Sequence, residues 1–277
     1  MEKLLSIIIS GKNDNFRGNT SQLLKFNLET TIKNIEGLSD VELILCDWGS
    51  EKKIVDDIFT KKSENFKCVY VPPEVAEKYN NGASYAYIHP HNTASRHSSG
   101  KYIMFLDTDT ILLNKDFKKL YSFVKDLNAS SNINTFYWAS RSDVEYYKYK
   151  DLKNSNELEK YLYSDTDISP SPIIYNGSFG GHAVSLLLSK SMWDDSTGFW
   201  EKLVHRGWAD IEFHNRLLTK YVFGGNLSDF AIDFYHLLCD EIYKNTNVLV
   251  NPHINSPDFS CNPSSWGLND EKLEIIN

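Results

Sequence analysis

The feature that most constrains the fold is a short apolar run that ends on two acidic residues. Residues 102–106 read Tyr-Ile-Met-Phe-Leu, and Asp107 and Asp109 follow directly. Such a run is typical of a strand buried in a parallel sheet, and ligand sites in these sheets lie at the carboxyl ends of strands. We therefore expect both carboxylates at a binding edge, where a divalent cation would relieve their repulsion and bind substrate phosphate oxygens. The alternative is a strand followed by an acidic surface turn.

Apolar runs alternate with helix-like patterns through the first half of the chain. Strand-like runs occupy 4–9, 41–46 and 66–71, and helical spacing of apolar residues covers 21–35, 52–59 and 117–127. Alternating strands and helices with short connections favour a parallel sheet with right-handed crossovers. We predict an α/β fold in which a mainly parallel central sheet is flanked by helices.

The second half is less regular. Residues 142–172 are polar and tyrosine-rich, which is typical of a binding loop or lid, with helical spacing only around 156–162. Residues 209–220 read as a helix, and 184–188 and 231–237 read as strands. No linker or repeat divides the chain. We predict a single domain over 1–277, with a nucleotide-binding half (1–110) and an acceptor half with a C-terminal tail (111–277).

Composition limits the kinds of molecule that the chain is expected to bind. The net charge of the 277 residues is −8, and without a basic stripe we expect no nucleic-acid partner. An acidic protein that binds a phosphorylated ligand needs a cation between the two. The four cysteines are scattered without C-x-x-C spacing, which favours reduced thiols and a cytoplasmic location. No apolar stretch is long enough to span a bilayer, which leaves peripheral association with a membrane open.

Four polar or acidic stretches follow one another along the chain: 6–14 (SIIISGKND), 43–50 (LILCDWGS), 91–109 (from HNTA to DTD) and 207–216 (GWADIEFHNR). In this order they resemble the family 2 glycosyltransferases, inverting enzymes of the GT-A fold. The resemblance covers roughly residues 4 to 220. It implies a GT-A-like nucleotide-binding sandwich and a hexosyl- or N-acetylhexosaminyltransferase. Such an enzyme would move a sugar from a nucleotide-diphosphate donor, expected to be UDP-linked, to a glycan or lipid-linked acceptor, with Mn²⁺ or Mg²⁺ as cofactor.

The resemblance also implies the residues of the donor and metal sites. Those of the donor site are Ser10, Lys12, Asn13, Asp47, Trp48, Asn92, Asp107, Thr108 and Gly181. Asp109 and Asp107 would hold the cation, with His236 as a third ligand and His253 as the alternative to it. Trp48 stands where the family often has an acid, so it would stack on the base or else be a core or rim aromatic. His236 could likewise be a hydrogen-bonded core histidine.

The family's catalytic carboxylate aligns with Asp210. Ala209 replaces the glutamate that usually precedes it, which leaves Glu212 as a second candidate for the base. Asp210 could instead only complement the dipole of the helix that begins there. Trp200 and Trp208 flank this segment and are expected to border the acceptor.

Two other functions stay open at this point. A nucleotidyltransferase could show a similar sheet and carboxylate-bound metal, but residues 10–14 are a poor match to the glycine-rich basic loop it would usually carry. A non-catalytic protein that binds sugar nucleotides or glycans is the second alternative.

Overall fold

The computed structural model describes residues 3–14, 18–60, 63–164, 185–239, 251 and 262–277. Gly181 and His253 lie outside these residues. The strands are β1 Lys3–Gly11, β2 Val41–Trp48, β3 Phe66–Val71, β4 Gly100–Leu106, β5 Thr110–Ile111, β6 Thr135–Trp138, β7 Arg141–Val144, β8 Leu186–Ser189, β9 Val222–Asn226, β10 Phe234–Leu237 and β11 Glu274–Ile276. The helices are α1 Thr20–Ile35, α2 Ile54–Asp57, α3 Pro73–Asn80, α4 His89–Arg96, α5 Asn114–Ala129, α6 Tyr146–Tyr149, α7 Ser155–Ser164, α8 Lys190–Asp195 and α9 Ala209–Leu218.

Eight strands form the central sheet, in the order β11-β3-β2-β1-β4-β8-β6-β9. The strands β3, β2, β1 and β4 run parallel to one another, and β6 runs parallel to β9. The strand β8 pairs antiparallel with β4 and β6, and β11 pairs antiparallel with β3. The predicted α/β fold with a mainly parallel sheet and flanking helices is confirmed. Strands of both predicted halves pair in this one sheet.

The apolar runs are continuous because both faces of the sheet are buried. Along β1, Ile7 and Ile9 belong to a core cluster that includes residues of α1 and α5, whereas Ile8 belongs to a second cluster with residues of α4 and α9. Side chains of successive strand residues point to opposite faces, so each apolar residue of β1 packs into one of the two layers. The carboxyl ends of β1, β2 and β4 then meet at one edge.

The irregular half is more ordered than the sequence pattern indicates. Within the polar stretch after residue 141, the structure forms β7, α6 and α7, and β7 joins β5 and β10 in a second sheet of order β5-β10-β7. The C-terminal segment ends in β11, which pairs with β3 in the first half of the chain. Over the described ranges, none of the helices combines the length and apolar character needed to cross a membrane.

Candidate active site

The two acids that follow β4 lie on a turn that is fixed by hydrogen bonds to neighbouring elements. The amide of Thr110 donates to the carbonyl of Asp107 (3.1 Å), and Asn27 Nδ2 of α1 donates to the same carbonyl (2.7 Å). Thr108 Oγ1 donates to the carbonyl of Ser10 at the end of β1 (2.6 Å). The turn is therefore held to α1 by the side chain of Asn27 and to the end of β1 by the carbonyl of Ser10.

The second sheet brings His236 to this turn. In β10, His236 pairs with Thr110 of β5, and the amide of Leu237 donates to the carbonyl of Asp109 (2.9 Å). As a result His236 Nε2 lies 3.3 Å from Asp109 Oδ2. Burial disfavours the charged imidazole, but Asp109 and the hydrogen bond to Asp143 outweigh it and raise the pKa of His236 to about 9.

Asp109 and His236 fit a divalent cation as a pair. An octahedral ion with bonds of about 2.1 Å places adjacent ligand atoms about 3 Å apart, close to the 3.3 Å between Asp109 Oδ2 and His236 Nε2. Carboxylate oxygen and imidazole nitrogen are both ligands that Mn²⁺ accepts. Within the described residues, no cluster of three histidine, cysteine or acidic side chains could hold a metal. Among the described residues, Asp109 and His236 are thus a pair of candidate ligands and not a complete set of protein ligands.

Arg141 is a site residue that the sequence analysis missed. Its Nη1 donates to Asp107 Oδ2 (2.6 Å) and Thr110 Oγ1 (3.1 Å) and lies 4.0 Å from Asp109 Oδ1. The side chain is only 10% exposed, and its buried Nε–H has no hydrogen-bond partner in the part of the chain described. The guanidinium therefore compensates the charge of Asp107 and keeps one donor available. No motif marks Arg141, since only the pairing of β7 with β10 brings it to the turn.

Asp210 lies in the first turn of α9, next to the same charges. Gly207 (φ 80°) and Trp208 (φ 69°) take left-handed backbone conformations that turn the chain into the helix. Burial raises the pKa of the Asp210 carboxyl, and its hydrogen bonds to the amides of Ile211 and Asp210 and the nearby charge of Arg141 offset only part of that rise. The charge of Arg141, which pairs with Asp107 of the turn, therefore acts on Asp210 as well.

Glu212 does not share this position. Its carboxylate is buried and accepts two hydrogen bonds from Arg216, from Nε (2.8 Å) and Nη2 (3.1 Å). Arg216 in turn donates to the carbonyl of Gly198 (2.7 Å) and to that of Ser196. The assignment of Glu212 as a candidate base is therefore corrected: both of its carboxylate oxygens hold the guanidinium of Arg216, and Arg216 joins α9 to the loop before it.

Ser10, at the end of β1, is part of a buried chain of hydrogen bonds. Tyr85 donates its hydroxyl hydrogen to Ser10 Oγ (2.9 Å), and Ser10 Oγ lies 3.3 Å from His91 Nε2. His91 Nδ1 faces the carbonyl of Tyr87 (3.0 Å). Because a carbonyl only accepts, Nδ1 carries the hydrogen and Nε2 accepts from Ser10. Burial lowers the pKa of His91 to about 4.

Lys12 and Asn13 lie on the loop that follows β1. Lys12 Nζ donates to the carbonyl of Ser84 (3.1 Å) and forms an ion pair with Asp14 (3.6 Å). Asn13 donates its backbone N–H to Ser50 Oγ (2.8 Å) and its side-chain amide to the carboxylate of Asp57 (2.9 Å). These contacts tie the loop to its neighbours at the edge where β1 and β2 end.

Asp47 and Trp48, at the end of β2, are both fully buried. Asp47 accepts hydrogen bonds from Ser50 Oγ and from the amide of Ile54 (2.8 Å) at the start of α2, and burial raises its pKa to about 6. Trp48 donates to Asn80 Oδ1 (2.8 Å) and stacks on His89, with ring centroids 5.9 Å apart. The expected stacking of Trp48 on a base is corrected, because neither face of its ring is accessible. Asp47 organises the turn after β2.

Asn92 is likewise an interior residue. It is fully buried in α4; its Oδ1 accepts from the amide of Phe199 (2.9 Å), and its Nδ2 donates to the carbonyl of Phe199 (2.9 Å) and to Glu201 Oε1 (3.0 Å). All of its hydrogen-bonding groups are thus used to join α4 to the loop after α8. Its assignment as a donor-binding residue is corrected to that of a structural clamp.

The two acceptor candidates are partly exposed. Trp200 packs against the second core cluster, and Lys202 Nζ lies 5.7 Å from the centre of its ring. Trp208 is the residue before α9, two positions from Asp210. Both rings keep surface for a ligand, and Trp208 is adjacent in sequence to the segment that carries Asp210.

The family described as "Glycosyltransferase like family 2" matches residues 24–230 of this chain. The search of curated proteins found no match to this chain. Among solved structures, it is similar to Staphylococcus aureus TarS residues 1–349 in complex with UDP, with 14% identity over 85% of this chain and a TM-score of 0.54. The complex of the same protein with UDP-GlcNAc matches at 12% identity over 86% of this chain, also with a TM-score of 0.54. This chain spans 60% and 59% of those two chains. At these identities the similarity shows the fold.

Proposed function

The chain belongs to the glycosyltransferase-like family 2, and from that membership we propose that it transfers one sugar from a nucleotide-diphosphate donor to a hydroxyl of a glycan or lipid-linked acceptor, with inversion. The observation that carries the proposal is the convergence of Asp107, Asp109, His236 and Asp210 around the guanidinium of Arg141. The UDP and UDP-GlcNAc complexes of the similar TarS structure favour a UDP-linked donor.

Asp210 is the proposed general base. An acceptor hydroxyl is a weak nucleophile, and a carboxylate within hydrogen-bond reach can take its proton as the new bond forms. Burial raises the pKa of Asp210, which makes its carboxylate a stronger base than an ordinary exposed one. One base on the acceptor side is enough for a single displacement with inversion, and no covalent intermediate on the protein is needed.

The leaving nucleoside diphosphate requires positive charge near its phosphates. Arg141 presents a buried N–H at this edge, and charge-assisted hydrogen bonds to phosphate oxygens are among the stronger ones in proteins. Asp109 and His236 would hold Mn²⁺ or Mg²⁺, which when bound supplies Lewis-acid stabilisation of the leaving group. Asp107, already paired with Arg141, orients that guanidinium toward the same edge.

The remaining groups at this edge provide the nucleotide and acceptor surfaces in this proposal. The loop at Lys12 and Asn13 borders the nucleotide, and Trp200 and Trp208 border the acceptor. We further propose that the protein acts in the cytoplasm, where peripheral contact with a membrane would give access to a lipid-linked acceptor.

A two-part experiment tests the function. First, the melting temperature is measured with UDP in the presence of Mn²⁺ and, separately, of EDTA, for the wild type and for Asp109→Asn. Ligand stabilisation follows RT ln(1 + [L]/Kd), so UDP with Mn²⁺ should raise the melting temperature more than UDP with EDTA in the wild type only. Equal shifts in both conditions would remove the cation from the proposal.

Second, release of UDP from UDP-sugars is followed with a panel of acceptors. UDP release that requires an acceptor supports transfer. Binding of UDP-sugars without UDP release would indicate a binding protein. Release of diphosphate from a nucleoside triphosphate and a sugar phosphate would instead indicate a nucleotidyltransferase.

A further inference from the structure

A second carboxylate lies on the far side of the imidazole that faces Asp109. The parallel pairing of β10 with β7 places His236 directly opposite Asp143, while its antiparallel pairing with β5 places it opposite Thr110. Side chains of directly paired residues lie on the same face of a sheet, close enough to interact. The register of the three strands therefore sets His236 between Asp143 on one side and the turn of Asp109 on the other.

The two ring nitrogens of His236 have different partners. Nδ1 lies 2.8 Å from Asp143 Oδ1, and Nε2 lies 3.3 Å from Asp109 Oδ2. A carboxylate only accepts, so Nδ1 carries a hydrogen that it donates to Asp143. In the neutral imidazole that hydrogen leaves the lone pair on Nε2, directed toward Asp109.

We propose that Asp143 is a positioning residue that holds His236 with its Nδ1–H toward β7 and its Nε2 lone pair toward the cation site at Asp109. The inference rests on the metal-dependent function proposed above. A histidine that binds a metal through one nitrogen commonly donates the other N–H to a carboxylate, which sets the tautomer and the ring orientation and raises the basicity of the ligand nitrogen.

Asp143 does not itself complete the coordination shell. Its contact is with the ring nitrogen opposite the one that faces Asp109, so the imidazole lies between the two carboxylates. The Asp143 side chain is 46% exposed, whereas those of His236 and Asp109 are 21% and 24% exposed. An exposed carboxylate is not needed for packing, which makes Asp143 replaceable without loss of the fold.

The test is the affinity for Mn²⁺ in the presence of saturating UDP, measured by titration calorimetry and by the electron paramagnetic resonance signal of free Mn²⁺. We expect Asp143→Ala to weaken Mn²⁺ binding about 10- to 100-fold. Asp143→Asn keeps an acceptor for Nδ1–H and should lose less. Glu145→Ala is the control, since it removes an exposed carboxylate of the same charge two residues further along the chain. It should leave the affinity for Mn²⁺ within about twofold of the wild type, because salt screens the charge of an exposed side chain.

A double-mutant cycle with His236→Ala distinguishes positioning from a general charge effect. If Asp143 acts through His236, then Asp143→Ala should change Mn²⁺ affinity little in the His236→Ala background. Equal losses in both backgrounds, or equal losses from Asp143→Ala and Glu145→Ala, would overturn the positioning role.

The outcomes also separate this inference from the function on which it rests. If the wild type binds Mn²⁺ with UDP and Asp143→Ala binds it equally well, the positioning role is wrong and the cation site stands. If the wild type binds no Mn²⁺ in the presence of UDP, both the cation site and the positioning role are wrong. Circular dichroism and the melting temperature of each variant show that it is folded.

Discussion

Two carboxylates on one helix show how much a residue's role depends on where its side chain points. Asp210 and Glu212 are two positions apart in α9, which places them about 200° apart around the helix axis. Asp210 lies near Arg141 at the sheet edge, whereas Glu212 is buried against Arg216 on the opposite side. Both residues match the acidic chemistry of a base, but the carboxylate of Glu212 is taken up by Arg216, which leaves Asp210 as the base in the proposed function.

We predict that Asp210→Asn lowers turnover about 10²- to 10⁴-fold, because the amide keeps the shape but cannot take a proton. The affinity for UDP, measured by calorimetry, should stay within about twofold. Glu212→Gln is the matched control: it should retain most activity but lower the free energy of unfolding by about 1–3 kcal/mol, since a hydrogen-bonded charge opposite Arg216 is lost. A fully active Asp210→Asn would leave the proposed reaction without its base.

The pH dependence of the reaction should also report Asp210. Burial is the largest influence on its carboxyl and raises its pKa, so its base form is reached at a higher pH than that of an ordinary exposed aspartate. We expect the acidic limb of the kcat/KM profile to be shifted upward in the same direction and to be absent from the residual activity of Asp210→Asn. An acidic limb that is the same in the variant would assign it to another group.

At the scale of elements, the second sheet positions residues of the candidate site, and α4 positions the loop after α8. The three short strands β5, β10 and β7 bring His236, Asp143 and Arg141 together with Asp109, which precedes β5, from segments far apart in the chain. On the other side of the central sheet, Asn92 and Glu201 join α4 to the loop after α8, and Glu201 also accepts from the amide of Gly267 (2.7 Å). These contacts hold the loop after α8 and the C-terminal segment to α4.

We predict that Asn92→Ala lowers the free energy of unfolding by about 1–3 kcal/mol, because the buried amide of Phe199 loses its acceptor. The carbonyl of Phe199 would keep its hydrogen bond from Asn262 (2.6 Å), so the loss should not double. Urea denaturation measures the change, and Asn215→Ala, at an exposed position of α9, is the control. If both variants lose the same stability, Asn92 contributes no more than helix propensity.

At the scale of the molecule, the two-sided core buries polar groups at the edge where the strands end. His91 is an example, because burial lowers the pKa of its imidazole from 6.5 to about 4. Between those two values the unfolded chain binds a proton at this position and the folded chain does not. The contribution of His91 to stability is therefore full at pH 7 and is lost progressively as the pH falls from about 6.5 to 4.

We predict that the difference in unfolding free energy between the wild type and His91→Gln changes with pH in that window, by up to roughly 1.4 kcal/mol per pH unit. The cost of losing the hydrogen bonds of His91 is measured at pH 7.5, where the imidazole is neutral in both states. As the pH is lowered to 4.5, the wild type should lose stability faster than the variant. Parallel curves in urea denaturation would mean that His91 titrates alike in the folded and unfolded chain.

The sequence by itself determined the parallel strands of the core and the edge of the sheet at which their polar carboxyl ends lie. Continuous apolar runs such as the one before Asp107 have enough hydrophobic surface to be buried on both faces, and the charges that end them cannot follow into the core. The start of α9 at Ala209, one residue before Asp210, was likewise local, since helical spacing begins there. These features follow from the spacing of apolar and polar side chains along the chain, and they can be predicted without knowing which distant residues pack together.

Only the tertiary structure decided which polar residues meet. Arg141 and Asp143 come from a stretch without periodicity, and they reach the site through the register of β7 against β10, which is set by long-range pairing. Trp48 and Asn92 carry side chains suited to a ligand, yet the packing of α4 against the sheet buries both. A residue's type is local, but its burial and its partners depend on which distant elements pack against it, and that decides whether it binds a ligand or holds the fold.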